Sequence, residues 1–106
     1  MTNEEIMSQL KSKGIDVAFL RKDGSLINST INMNENSLAL ISSIVKNSEI
    51  LAKRMKDNMS QMQIGIGDSL ALIYPIKDMI FFALTKNNED KKITAEYAEK
   101  IRQGAK

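Results

Sequence analysis

The chain contains no cysteine, no histidine and one proline in 106 residues. Without cysteine there are no disulfides, no thiolate metal sites and no thiol nucleophile, and without histidine the commonest general base and transition-metal ligand are gone. No apolar run approaches the roughly 18 residues of a membrane span. The opening MTNEEIMSQL is acidic and polar rather than basic then apolar, so it does not read as a signal peptide. A cytoplasmic protein with no membrane insertion is expected. Charge of one sign is also lacking. The 15 Lys/Arg and 13 Asp/Glu are interspersed, the net charge is +2, and no basic stripe exists of the kind that tracks phosphates, so nucleic acid is not an expected partner. Lys53, Arg54 and Lys56 form the one tight basic group. They fall in the last turns of a predicted helix, where cations complement the helix dipole.

What is present suffices for one core: 42% of the residues are hydrophobic, and the length fits a single domain over residues 1–106. Asn3 to Lys11 places Ile6, Met7 and Leu10 on one side of a short helix, with Thr2 or Asn3 as its cap and Gly14 as its stop. Ile15 to Lys22 and Ser25 to Thr30 read as a hairpin, and Asp23-Gly24 is the dipeptide of a two-residue type I′ turn. A long helix then starts at the Asn34 cap, with Met33 set to pack on Leu38, and is expected to run to about Asp57. At ~100° per residue, Leu38, Leu40, Ile41, Ile44, Val45, Leu51, Ala52 and Met55 share one arc of about 160°, the breadth of a helix lying on a sheet. Ser42, Lys46, Glu49 and Lys53 fall opposite. Ile50 lies outside the arc, in a strip with Ala39, Ser43 and Asn47 whose small side chains would let a second chain approach.

Met59 to Gly67 alternates, with Met62, Ile64 and Ile66 on one face and Gln61, Gln63 and Gly65 on the other, as a half-buried strand does. VAFL, LALIY and MIFFAL are instead continuous apolar runs, which places strands 1, 4 and 5 in the middle of a sheet and strands 2 and 3 at its edges. With 1–2 a hairpin and 3–4–5 a meander hinged at Gly67-Asp68 and Lys77-Asp78, only the order 2-1-5-4-3 satisfies these conditions. Thr94 is expected to cap a last helix whose apolar side is Tyr97, Ala98 and Ile101. The predicted class is α+β: a three-layer α/β/α sandwich around a five-stranded, mainly antiparallel sheet. The long helix covers one face and two short terminal helices cover the other.

Signals for catalysis are thin. Gly65-Ile66-Gly67 lacks the third glycine and the helix start of a phosphate loop and reads as a turn. Asp16, Asp23, Asp68 and Asp78 sit at turns and strand starts, where aspartate bonds locally, and they do not form a metal-ligand cluster. Serine is plentiful, but there is no histidine to activate one and no Gly-x-Ser-x-Gly elbow. Arg21, Arg54 and Arg102, the only arginines, occupy ordinary solvated positions beside a turn or near helix ends. The chain is therefore not expected to be an enzyme, and no cofactor is implied.

The succession GIDVAFLRKDGSLINST, a long apolar helix, QMQIGIGDSLALIYPIKDMIFFAL and a final helix containing AEKIR resembles the roadblock domain of the dynein light-chain family, over Gly14 to Arg102. The stretch Asn3 to Lys11 is shorter than the first helix of many members. The resemblance implies a non-catalytic platform that engages Ras-like small GTPases or serves in motor and signalling scaffolds. It also implies a homodimer, or a pair with a paralogous roadblock-like chain, joined through the long helix and the edge strand. On this sequence those contacts would be Ala39, Ser43, Asn47 and Ile50 with Gln61, Gln63 and Gly65. Met59 to Ile66 supports such pairing independently, because an edge with neither charge nor proline invites another strand. The alternative is an assembly or scaffold subunit, or a small-ligand-binding α/β/α module, without GTPase contact.

Overall fold

The computed structural model describes residues 2–56 and 61–104. Its elements are α1 (Asn3–Ser12), β1 (Asp16–Arg21), β2 (Leu26–Ser29), α2 (Glu35–Arg54), β3 (Met62–Ile66), β4 (Ser69–Ile76), β5 (Met79–Thr85) and α3 (Asn88–Gly104). The sheet order is β2-β1-β5-β4-β3, as predicted, and every pairing is antiparallel. Asp57, the expected helix end, and Met59 and Ser60, expected in the third strand, lie outside the described residues.

Alternation along the central strands builds two cores. Val17, Phe19, Leu72, Tyr74, Phe81 and Ala83 face α1 and α3, where Ile6, Leu10, Tyr97, Ala98 and Ile101 close over them. Phe19 stands opposite Phe81, and Phe81 opposite Tyr74, so three stacked rings cross the middle of the sheet with centroids 5.1 and 5.8 Å apart. Burial pushes the Tyr74 phenol above its ordinary pKa, and the Arg102 guanidinium, 5.6 Å from its ring centroid, partly opposes that shift. On the other face Ala18, Leu20, Ala71, Ile73, Ile80 and Phe82 meet Leu38, Ile41 and Val45 of α2.

Three local expectations are corrected. The first concerns the hairpin. Gly24 has φ +97°, whereas Asp23 stays at negative φ, so the turn is not type I′. The Gly24 amide donates to the Arg21 carbonyl (3.0 Å) and the Arg21 amide to the Ser25 carbonyl (2.8 Å), which is a type I turn closed by a left-handed glycine bulge. Asp23 Oδ1 accepts from the Ser25 amide and hydroxyl and fixes the loop from inside. The second concerns α3. It begins six residues before Thr94: Asn87 Oδ1 accepts from the Asp90 amide as a cap, while Thr94 is buried in mid-helix and donates to the Asp90 carbonyl. At 17 residues it is not short.

The third correction is the rotation of α2. Ser42, expected on the solvent side, is buried and its hydroxyl donates to the Lys22 carbonyl in the hairpin. Lys22 Nζ also pairs with Glu49 Oε2 at 3.0 Å. Gly24 lies against the helix: a Cβ placed there would make ordinary van der Waals contact, 3.5 Å from the Leu38 carbonyl and from Ser42 Cβ, so it is the left-handed φ of +97° and not lack of space that calls for glycine. Polar anchorage thus rolls the helix toward the hairpin, and Leu40, Leu51 and Met55, expected against the sheet, face outward.

Two predictions follow from the hairpin and its neighbour Asp16. Gly24→Ala forces a side chain into left-handed backbone and should cost about 1–2 kcal/mol, read as a drop on the order of 5–10 °C in Tm; an unchanged Tm would refute the bulged turn. Asp16 Oδ1 accepts from Lys11 Nζ at 2.7 Å and from the Thr30 hydroxyl at 3.2 Å, which together lower its pKa below the ordinary 3.8. A depressed carboxylate stabilises the fold above its unfolded pKa and loses that contribution as pH falls through the folded value. The Lys11→Met variant should therefore match the parent below about pH 3 and be slightly less stable above about pH 4, a gap that urea unfolding across pH would reveal.

Candidate interaction surface

The roll of α2 leaves part of its sheet face uncovered. Between the N-terminal half of α2 and strands β3, β4 and β5 runs an apolar groove of about 370 Å³. Ser37, Leu40, Ile41 and Ile44 form one wall, Ile64 and Ile66 of β3 the other, and Ala71, Ile73, Phe82 and Leu84 the floor. Its entrance carries Ile31, Asn32 and Met33 from the segment before the helix. Ile66 is 52% exposed and Leu40 62%.

Further along α2 nothing after Val45 is buried, and Ile50, Leu51 and Met55 are 51%, 60% and 70% exposed. Leu40, Ile44, Asn47, Leu51 and Met55 recur at helical spacing and make one uncharged stripe. Ala39, Ser43 and Ile50 border it, so the small-residue strip singled out in the sequence and the displaced part of the expected core arc are one continuous face. The charged residues Glu35, Lys46, Glu49 and Lys53 occupy the other side of the helix, while Arg54, in its last turn, falls between Asn47 and Ile50 at the border of the stripe. Large exposed apolar side chains gathered in this way mark an interaction site.

The free edge of β3 borders the groove. On its inner side β3 pairs with β4 from Met62↔Ile73 to Ile66↔Ser69, and Gln63 and Gly65 are exposed. Gln61 is exposed just before the strand. The segment Gln61 to Gly67 has no charge and no proline, the two usual guards of an edge. The opposite edge differs: β2 has four residues, and Ile27 is skipped in the register between Phe19↔Asn28 and Leu20↔Leu26, a bulge that interrupts pairing.

The seven residues predicted from the sequence are all exposed, four on α2 and three in or just before β3, and none of them lines the groove itself. Sequence reasoning missed Leu40, Leu51 and Met55, whose hydrophobicity reads as core and which the anchoring of Ser42 and Glu49 turns outward, and Ile66, which shares the inner face of β3 with Met62 and Ile64 but is left exposed at the strand's end. Among the described residues no group of three His, Cys, Asp or Glu side chains could hold a metal ion. Asp16, Asp23 and Tyr74, whose pKa values shift, line a helix contact, a turn and a core rather than this groove. Because Leu51 supports no core, Leu51→Asp should change the unfolding free energy of the dilute protein by no more than about 1 kcal/mol. Ile41→Ala should cost about 2–5 kcal/mol. Equal losses in urea titrations would place Leu51 inside.

No protein-family model matches the sequence, and no curated protein matches it either. Solved structures do match. A Roadblock/LC7 domain from Streptomyces avermitilis superposes with TM-score 0.75 at 13% identity, covering 97% of each chain. Myxococcus xanthus MglB gives 0.77 at 14% identity over 97% of this chain and 96% of that one. An MglB described in a tetrameric arrangement gives 0.78 at 9% identity over 96% and 85%. No helix among the described residues is long and apolar enough to cross a membrane. With the order β2-β1-β5-β4-β3, the long α2 on one face and α1 with α3 on the other, this chain has the roadblock-domain fold.

Proposed function

We propose that this chain is a non-catalytic, cytoplasmic, homodimeric interaction platform that binds and regulates, or is an effector of, a Ras-like small GTPase. The observation that carries the pairing half of this reading is the continuity of three features: an exposed apolar face on α2, an apolar groove beside it, and an uncharged open strand edge. Ala39, Ser43, Asn47 and Ile50 on the helix and Gln61, Gln63 and Gly65 at the edge are the proposed contacts. Strand addition at β3 would satisfy main-chain groups while the helices bury apolar area. The GTPase half rests on the roadblock fold, with which the family's engagement of small GTPases is associated. Such a platform acts by gripping the GTPase switch segments and shifting their population toward an ordered state, without supplying a catalytic group.

The test couples mass in solution to nucleotide-dependent capture. Sedimentation should give twice the chain mass, and the immobilised protein should retain a Ras-like GTPase from lysate in only one of two conditions, GDP or a non-hydrolysable GTP analogue. Retention of the same non-GTPase partners in both would replace this reading with an assembly or scaffold subunit, and pairing with a different roadblock-like chain would replace the homodimer.

A further inference from the structure

We infer that the cavity between the start of α1 and the end of α3 binds a small aliphatic carboxylate, with its chain on Ile6, Met79 and Ile101 and its head at Lys100. The cavity measures about 620 Å³ and lies over the beginning of β5, on the sheet face opposite α2. That volume falls within the roughly 300–1,000 Å³ of small-ligand sites. Its lining divides by chemistry. Ile6 and Ile101 are buried and Met79 half-buried, an apolar part without an aromatic ring that suits a flexible chain better than a flat ligand. Asn3, Lys100 and Gln103 supply the polar part. None of these residues belongs to α2 or β3, so occupancy of the cavity and pairing of the chain are separable.

The charges around the cavity give the sign of the ligand. Lys100 is the one ionic side chain among its described lining residues. The Lys100 ammonium stands 4.6 Å from the Tyr97 ring centroid, and no carboxylate among the described residues pairs with it. The acids in the first turn of α1 are engaged elsewhere: Glu5 Oε1 accepts from the Thr2 amide and hydroxyl, and Glu4 Oε1 from the Asn28 carboxamide. α1 begins at the cavity with its amide end and α3 ends there with its carbonyl end, so the two helix dipoles offset one another and Lys100 decides. Asn3 adds a donor that lacks a good acceptor. Its Nδ2 reaches Met79 Sδ at 3.8 Å, a weak partner, and no oxygen among the described residues accepts from it. A carboxylate head has acceptor capacity for both Asn3 and Lys100.

Octanoate is the probe, and 1-octanol its uncharged counterpart. In methyl NMR of isoleucine-labelled protein, octanoate should shift Ile6 and Ile101 saturably and leave Ile44 and Ile64, which line the groove beside α2, in place. Lys100→Gln should weaken octanoate about fivefold, the scale of an exposed charge pair, and leave octanol as it was. Gly104 also borders the cavity, and a Cβ added there meets no heavy atom within 4 Å. Gly104→Leu should therefore abolish the shifts from both probes without lowering Tm. Shifts at Ile44 and Ile64 instead of Ile6 and Ile101, undiminished binding to Gly104→Leu, or no saturation at millimolar octanoate would overturn the site. Equal losses of octanoate and octanol in Lys100→Gln would overturn the carboxylate head.

Discussion

The β1–β5 pairing is the interaction on which everything else depends. It joins residues 58 to 68 positions apart, from Arg21↔Met79 to Asp16↔Leu84, and welds the N-terminal hairpin to the C-terminal meander. Without it there are two small ribbons, neither able to bury a face, since an isolated hairpin is marginal in water. With it, Phe19, Phe81 and Tyr74 align into one aromatic row and both faces of the central strands become continuous apolar surfaces. Helices on each face are then required, because strands apolar on both sides cannot face solvent. A contact of such sequence separation also makes folding slower than in a helical bundle of equal size.

The second constraint is a contest between apolar and polar anchorage on α2. Leu38, Ile41 and Val45 draw the helix onto the sheet, while the Ser42 hydroxyl on the Lys22 carbonyl and the Lys22–Glu49 pair draw it toward the hairpin. A net hydrogen bond contributes about 1 kcal/mol and a half-exposed ion pair less, far below the apolar burial of three large side chains. The polar contacts do not hold the helix down; they decide which way it rolls. That roll leaves the far half of the sheet face as a groove.

Legibility from sequence followed the same division. Strand order was readable because it depends on coarse features: which runs are apolar on both faces, which alternate, and where turns fall. The Asn34 cap and the Tyr97, Ala98 and Ile101 face were readable because local chemistry sets them. The hairpin was placed correctly, but its turn type was not, since Asp-Gly serves both a two-residue I′ loop and a three-residue bulged loop and the choice lies in the neighbouring register. Thr94 misled because threonine can cap a helix or bond back to a carbonyl one turn earlier. The contact residues on α2 were only half legible: Ile50 stood out as apolar among polar neighbours, whereas Leu40 and Leu51 looked like core until a serine twenty residues from its hydrogen-bond acceptor fixed the rotation.

The bulge at Ile27 bears on how large an assembly can become. A sheet with two open edges can recruit copies on either side and extend without limit, the route by which β-proteins form fibres. Here β2 is four residues long and interrupted, so lateral growth from that side is blocked by its own geometry. Only β3 remains available, and an edge that pairs with its own kind about a two-fold axis is consumed by that single event. With β3 paired as proposed, the skipped residue on the far side of the sheet would make strand-to-strand growth self-terminating.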